Sequence, residues 1–365
     1  MTDTNFSINE DVFHKLQNAK KLSGYENKSW DNWFLHILKS TPSTKTTQDR
    51  IEQIAKDVFY RNEVYEHWIR NFALNLDFIW NEPSAKELTP KLNNNFDTKS
   101  SIVIGRGPSL KKHNHLKLLA ESNFSGVILC TDGALINTLK AGITPEKFPN
   151  FYVVTIDVYE GQHELYDHNI VDEFGKNITG IFASLADPGA AQRAREAKIK
   201  IHWIHPLVDL DDGKKSLNYI AAQMTRVKKN HGLPGIQTGG NVGTTCWFIA
   251  WQLLKCNTVS LIGINHGYEE DTPLDFILTH SNQNPSQNIE KDSSKFARLY
   301  PKVFNPDFGT YCILDPIFQY YSGALKEFIK RSPSWLKTIN STEGGCIFGD
   351  KITSMKFIDF LAKYS

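Results

Sequence analysis

The chain has 365 residues, of which 40% are hydrophobic and 22% are charged, as is typical of a globular protein with a sizeable core. Its 41 Lys and Arg residues against 40 Asp and Glu residues give a net charge of +1, which argues against a dedicated nucleic-acid-binding protein. The five cysteines form no CxxC pair, which argues against a disulfide framework or a structural zinc site. The polar start MTDTNFSINEDVF and the lack of long apolar runs lead us to expect a cytoplasmic protein without a membrane span.

The first part of the chain is predicted to be helical. Apolar and aromatic residues recur at helical spacing between about residues 9 and 81, for example at Tyr65, Trp68, Phe72 and Leu76. The segment 81–99 is rich in Pro, Asn and Lys, a composition that indicates a linker. We therefore expect a helical N-terminal domain over residues 1–95, and its sequence does not indicate its role.

Strands and helices alternate after the linker. Six apolar runs lack the polar alternation of a sheet with one wet face, which predicts a parallel sheet covered on both sides. The predicted strands are Ile102–Gly105, Gly126–Asp132, Phe151–Asp157, Gly180–Ser184, Lys200–Pro206 and Val259–Asn265. The expected fold is α/β: a Rossmann-like, doubly wound core over residues 96–285, with a helical C-terminal extension over residues 286–365 that packs on it. Ligands of such sheets bind beyond the carboxyl ends of the strands, near the point where strand order reverses.

A glycine-rich turn follows the first predicted strand, in the stretch SSIVIGRGPSL. Gly105 and Gly107 allow a tight turn and a close backbone approach, and Pro108 suits a first helical position. Ser109 can offer a hydroxyl to a phosphate, and Arg106 adds a positive charge beside it. The stretch is not a P-loop, because it lacks the pattern GxxxxGK[ST], and it is not the dinucleotide fingerprint, because Leu110 holds the third glycine position. A plain strand-to-helix turn remains the alternative.

Two aspartates follow the next two strands. Asp132 and Asp157 can meet a ribose, a divalent metal ion or the substrate. A helix N-cap is the competing interpretation and is nearly as plausible for Asp132. Asp157 opens a longer loop, which favours a role in the site.

A second glycine-rich turn precedes the predicted helix Val242–Lys255. In IQTGGNVGTTCWF, the residues Thr238, Gly239, Gly240 and Asn241 would supply N–H groups and one amide to an anion. A tightly packed helix entry is the alternative. Two such turns in one parallel sheet predict two anion-binding ends that face one crevice.

Two histidines follow the last predicted strand. His266 lies directly after that strand and His280 lies farther along a polar loop. An imidazole titrates near neutrality, so either can act as a general base.

The motifs together resemble the 6-hydroxymethylpterin diphosphokinase MptE-like family, which includes the motility accessory factors of flagellin glycosylation. The resemblance covers about residues 95–361 and rests on the ordered set GRGPSL, the two strand-end aspartates, TGGNVGTT with LIGIN, and INSTEGGCIFGD. Within the last motif, the resemblance implies that Glu343 closes one wall of the substrate site. A turn that braces a predicted C-terminal helix, Ser354–Lys363, is the alternative. The first turn is also similar, more distantly, to that of bacterial sialyltransferases. That likeness implies that the two turns line the nucleotide and that His280 is the base.

The resemblance implies three functions that stay open. The first is glycosyl transfer from a CMP-activated nonulosonic or sialic-acid-like sugar to a protein or glycan acceptor, with no cofactor and with His280, Asp157 or His266 in catalysis. The second is transfer of diphosphate from ATP to 6-hydroxymethyl-dihydropterin, with Mg²⁺ held by Asp132 and Asp157. The third is a nucleotide-sugar-binding scaffold without catalysis. The segment NSTEGG and the length beyond the core favour the first.

Overall fold

The computed structural model describes residues 13–14, 16–17, 20–21, 26–30, 32–33, 64–90, 99–208, 216–280, 290–291 and 293–365, of which 279, 280, 295 and 298 are described by their backbone alone. The chain divides into two compact units, Met1–Gln53 and Ile54–Ser365. In the first unit, the rings of Trp30 and Trp33 pack edge to face at 5.5 Å. Most of the helical prediction before residue 64 lies outside the described residues.

A nine-stranded sheet forms the centre of the second unit, and every neighbouring pair in it is parallel. Its strands are β1 (Ser100–Ile104), β2 (Val127–Thr131), β3 (Phe151–Thr155), β4 (Thr179–Ala183), β5 (Lys200–Leu207), β6 (Gly235–Gln237), β7 (Thr258–Ile262), β11 (Lys337–Asn340) and β12 (Ile352–Ser354). Their order is β12-β11-β7-β1-β2-β3-β4-β5-β6. The six predicted strands are confirmed within a few residues at each end, and the Rossmann-like class is confirmed with them.

A small antiparallel sheet lies beside the carboxyl end of β7. It consists of β8 (Tyr268–Glu269), β9 (Lys302–Asn305) and β10 (Thr310–Ile313), in the order β8-β10-β9.

The described part of the second unit contains twelve α-helices. They are α1 (Val64–Asn81), α2 (Ser109–Lys112), α3 (His115–Glu121), α4 (Leu135–Lys140), α5 (Asn169–Phe174), α6 (Pro188–Glu196), α7 (Leu217–Arg226), α8 (Val242–Phe248), α9 (Leu274–His280), α10 (Ser294–Leu299), α11 (Pro316–Arg331) and α12 (Phe357–Tyr364). Helix α8 continues as a π-helix over Ile249–Leu253, so the predicted helix Val242–Lys255 is confirmed. Helix α12 likewise matches the helix predicted at the C-terminus.

The sheet is buried on both faces, as its continuous apolar strands predict. On β1, Ile102 and Ile104 join one hydrophobic cluster while Val103, which points the other way, joins a second one. Helix α1 belongs to the same compact unit as the sheet, and residues after 285 supply its strands β11 and β12. The division of the chain at residues 95 and 285 stays a prediction.

In the described part of the chain, no helix is both long and apolar enough to cross a membrane.

Strand order reverses at β1. The chain runs outward from β1 through β2 to β6, then returns to place β7 on the other side of β1. The loops that leave β1 and β7 therefore meet at the carboxyl edge of the sheet, and a crevice is expected between or above them.

Candidate functional site

A cavity of about 900 Å³ lies at this crossover point. Its walls come from the loops after β1, β2, β3 and β7, from the start of α8, and from α9 and α11. Its position is the one that the reversal of strand order predicts.

The cavity brings together most of the residues singled out in the sequence. Those that line it are Gly105, Arg106, Gly107, Pro108, Asp132, Asp157, Gly240, Asn241 and His266. Ser109, Thr238 and Gly239 are not among the lining residues. Glu343 lines a neighbouring cavity of about 450 Å³ instead. His280 is the last residue of α9, and its side chain lies outside the described residues.

The first glycine turn, Gly105–Ser109, uses its polar groups to join the loops after β1 and β7. The N–H groups of Gly105 and Gly107 donate to the carbonyls of Ile262 and Gly263, each at 2.9 Å. The Ser109 hydroxyl donates to Asn265 Oδ1 at 2.9 Å. These three groups therefore have protein partners, which differs from the expected offer to a phosphate.

Close packing explains the glycines of this turn. A Cβ atom on Gly105 would lie 2.4 Å from the Gly263 carbonyl oxygen, and one on Gly107 would lie 2.1 Å from Asn265 Oδ1. Pro108 is the residue before α2, one position earlier than expected, and α2 has only four residues. The group that this turn can offer to an anion is the exposed Arg106 side chain on the cavity wall.

The second glycine turn, Thr238–Asn241, is built differently. Gly239 and Gly240 have φ angles of 54° and 81°, in the left-handed region that favours glycine. Asn241 is the N-cap of α8, because its Oδ1 accepts from the Thr244 N–H at 2.8 Å. The Thr238 hydroxyl accepts from the Gly240 N–H at 3.2 Å, so its oxygen is used inside the turn.

Asp132 is a buried carboxylate with one oxygen available for a ligand. Its side chain is 4% exposed, Oδ1 accepts from the Gly133 N–H at 2.8 Å, and Oδ2 has no hydrogen-bond partner. Helix α4 begins after Ala134, so Asp132 is not its N-cap. Because a buried acceptor without a donor is costly, a ligand group that donates to Oδ2 would stabilise this carboxylate.

Asp132 and Asp157 interact electrostatically at the carboxyl ends of the neighbouring strands β2 and β3. Burial, and then the charge of Asp157, raise the pKa of Asp132 to about 7, while the Gly133 N–H, the Thr155 side chain and Arg106 oppose the rise. Asp157 opens to the cavity but is enclosed by protein on its other sides, and this desolvation raises its pKa as well. Arg106 opposes that shift too, and it is the one Arg or Lys among the described residues that line the cavity.

His266 lies on the cavity wall in a strained conformation. Its φ is 43° and it is 8% exposed, with Nδ1 buried and without a partner. Its ring lies nearly parallel to that of Phe318, with centroids 6.4 Å apart. Burial lowers the pKa of His266 to about 3, so the imidazole is neutral and weakly basic.

An aromatic wall faces the carboxylates, and the sequence interpretation missed it. Tyr268, Phe276, Phe318 and Tyr321 line the cavity. Asp315 holds two parts of this wall together: it caps α11 by accepting from the Phe318 N–H at 2.6 Å, and it accepts from the Tyr268 hydroxyl at 2.7 Å. The Asp-Pro pair before an aromatic helical repeat in DPIFQYYSG is the signal that marks this helix start.

Fold and site define a doubly wound α/β protein with a ligand cavity at its crossover point. The chain belongs to the MptE-like family: the model described as 6-hydroxymethylpterin diphosphokinase MptE-like matches residues 70–271, more than half of its length. The family resemblance inferred from the motifs is thereby confirmed.

A solved structure shares the fold. The MAf glycosyltransferase from Magnetospirillum magneticum AMB-1 aligns with a TM-score of 0.53 and 16% identity, over 84% of this chain and 43% of that protein. The chain thus spans less than half of that protein's length, and at this identity the likeness concerns the fold. No curated protein matches the chain.

Proposed function

We propose that this protein is a nucleotide-dependent transferase that moves a sugar from a CMP-activated, nonulosonic or sialic-acid-like donor to a hydroxyl acceptor. The observation that carries the proposal is one cavity at the crossover point that holds an exposed guanidinium, two interacting carboxylates and an aromatic wall. Family membership and the shared fold of a glycosyltransferase support it. The protein or glycan nature of the acceptor and a cytoplasmic location are part of the proposal.

Each charged group of the cavity has a role in the proposed reaction. Arg106 pairs with the donor phosphate, and the unpartnered Oδ2 of Asp132 accepts from a donor hydroxyl. Asp157, whose pKa is raised, takes the proton of the acceptor hydroxyl while the oxygen of that hydroxyl bonds to the anomeric carbon of the donor sugar. The bond between that carbon and the phosphate oxygen breaks, and CMP leaves with the electron pair.

Asp157 is a stronger candidate base than His266. The pKa of His266 is lowered to about 3, so its imidazole binds a proton weakly, whereas the pKa of Asp157 moves upward toward neutrality. His266 is better suited to hydrogen bonding on the wall. The role of His280 as base stays a prediction.

A second candidate function is diphosphate transfer from ATP to 6-hydroxymethyl-dihydropterin. Asp132 and Asp157 favour it, because Mg²⁺ is commonly bound by one or two carboxylates together with substrate phosphates. The described residues contain no cluster of three His, Cys, Asp or Glu side chains around one point, so these two carboxylates would hold the ion with the nucleotide. Bound there, Mg²⁺ would neutralise phosphate charge.

A thermal-shift titration with CMP, CDP, UDP, AMP and ATP, each with and without Mg²⁺, tests the proposal. A ligand at 100 times its Kd adds about 2.7 kcal/mol to the free energy of unfolding, which a melting curve detects. Stabilisation by CMP or CDP without metal supports sugar transfer. Stabilisation by ATP only with Mg²⁺ supports diphosphate transfer, and no stabilisation by any nucleotide contradicts both.

A pair of variants locates the binding. Asp132→Asn keeps the size of the side chain but alters the carboxylate, and we expect it to weaken nucleotide binding about tenfold, as loss of a hydrogen bond to a charged group does. Asp350→Asn is the matched control, because Asp350 is exposed and is not among the residues that line the cavity. Binding with no turnover on any acceptor supplied would favour the non-catalytic scaffold.

A further inference from the structure

Helix α1 lies across the loops that leave β3 and β4. Asn71 is 3% exposed, and its Nδ2 donates to the Val158 carbonyl at 2.8 Å and to the Leu185 carbonyl at 3.1 Å. One amide therefore ties two loops at the carboxyl edge of the sheet to a helix that precedes the sheet in sequence.

Two further side chains of α1 contact the loop Asp157–Glu160. Arg70 Nη1 lies 2.5 Å from Glu160 Oε1, and the ring of His67 packs edge to face against that of Tyr159 at 5.6 Å. Positions 67, 70 and 71 are three and four apart, so they lie on one face of the helix. Helix α1 thus contacts three of the four residues of this loop.

These contacts fix the backbone beside Asp157. The Val158 carbonyl that Asn71 binds is on the next residue, and the Asp157 carbonyl itself accepts from the Asp187 N–H at 2.9 Å. The loop then reaches Gly161, whose φ is 98°. Much of its surface is exposed, so the loop depends on these anchors for its position.

We propose that Asn71 is a positioning residue that holds the loop Asp157–Glu160 so that the Asp157 carboxylate stays close enough to interact with Asp132 at the carboxyl edge of the sheet. The claim that this placement serves transfer rests on the proposed function. The placement itself stands on the contacts of α1 alone.

The electrostatics of Asp132 supply a readout for this placement. Asp157 is, after burial, the second cause of the raised pKa of Asp132, so a displaced Asp157 loop lowers that pKa. Other groups also influence Asp132 or are influenced by it: Arg106 after β1, Cys130 on β2, the Gly133 N–H after β2, Thr155 on β3, Tyr166 after β3 and Cys246 on α8. None of them is contacted by Asn71 in the hydrogen bonds of the described residues.

The test follows the titration of Asp132 by NMR in the ligand-free full chain, with aspartate labelled at ¹³Cγ and the signal assigned through Asp132→Asn. In Asn71→Ala the midpoint should fall by about half a pH unit or more, because a neighbouring charge at short range shifts a pKa by about one unit or more. Asn75→Ala is the matched control for the loss of a buried amide on the same helix. Asn75 donates to the Ser184 and Ala186 carbonyls of the β4 loop and does not bond to the loop Asp157–Glu160, so its variant should move the midpoint less than Asn71→Ala does.

Asp157→Asn removes the Asp157 charge, so it measures the largest fall in the Asp132 midpoint that a displaced loop can cause. If Asn71→Ala leaves the midpoint unchanged while Asp157→Asn lowers it, the proposal is overturned. If Asn71→Ala does not fold, Asn71→Ser replaces it, because serine stays polar but its shorter side chain does not reach both the Val158 and the Leu185 carbonyls. The same downward shift is then expected, and an unchanged midpoint overturns the proposal.

A second readout addresses transfer. Once a donor and an acceptor are in hand, Asn71→Ala should lower kcat about tenfold with little change in KM, because a misplaced catalytic group affects the reaction more than donor binding. If the unaltered chain binds no nucleotide, the proposed function fails while the Asp132 titration still decides the role of Asn71.

Discussion

The two glycine turns have the same appearance in sequence but serve different physical needs. The first, Gly105–Ser109, has glycines without positive φ angles, and an added Cβ would collide with the loop after β7. The second, Thr238–Asn241, has glycines at φ 54° and 81°. One turn requires the absence of a side chain, and the other requires a left-handed backbone.

The difference changes the way in which each turn contributes to the cavity. The first turn brings the loops after β1 and β7 together and places Arg106 on the cavity wall. The second turn reverses the chain so that Asn241 can cap α8 at the same cavity. A glycine-rich turn at a strand end is therefore not by itself evidence of a bound phosphate.

The largest expected effect is that of Gly105→Ala. Its Cβ would lie 2.4 Å from the backbone oxygen of Gly263, and a backbone atom between two paired loops cannot move away easily. We expect a loss of about 3 kcal/mol in the free energy of unfolding, at the upper end of overpacking effects. Urea denaturation measures it, and Gly105→Asn should be at least as harmful. A loss below 1 kcal/mol would show that close packing is not the reason for this glycine.

A smaller effect is expected at Gly240, and there alanine should be more harmful than asparagine. There the φ of 81° is the constraint, and Gly240→Ala should cost about 1–2 kcal/mol, the penalty of a left-handed conformation for an L-residue. Gly240→Asn should cost less than Gly240→Ala, because asparagine tolerates this region better. The same denaturation series reports both values. Equal losses for Ala and Asn would remove the contrast between the two turns.

The smallest expected effect is electrostatic. Arg106 lowers the pKa of Asp132, so Arg106→Ala should raise the midpoint of Asp132 above about 7, by about half a pH unit. The raised pKa means that the contribution of Asp132 to stability is full below its unfolded pKa near 4 and is lost as pH rises toward 7. Arg106→Ala extends that loss to higher pH. Asn241→Ala in the second turn should leave the midpoint unchanged, and carboxylate NMR distinguishes the two results.

Much of the fold could be predicted because the central strands carry a continuous apolar signal. All five residues of β2 and of β7 are buried, and such runs are typical of a parallel sheet. Strands β6, β11 and β12 were missed because they are only three or four residues long; β6 and β12 form the two edges of the sheet, and β11 lies next to β12. The small antiparallel sheet was missed for a similar reason, since β8 has only two residues.

The site was predictable at the strand ends and not beyond them. Asp132 and Asp157 were found because the carboxyl ends of neighbouring parallel strands meet at one edge. The aromatic wall and Asn71 depend on packing between segments distant in sequence, for which one sequence gives no local sign. Asn71, for instance, contacts residues 87 and 114 positions away. The hydrogen bonds of the first turn likewise depend on the loop after β7.

The central claim is that the crossover cavity binds the nucleotide of an activated donor. A crystal structure of the full chain with the nucleotide that stabilises it most is the most direct measurement. We expect the phosphate beside the Arg106 guanidinium, a nucleoside hydroxyl within hydrogen-bond distance of Asp132 Oδ2, and the Gly105 and Gly107 N–H groups still bound to the loop after β7. A nucleotide bound outside this cavity, or a phosphate held by those two glycine N–H groups, would contradict the account.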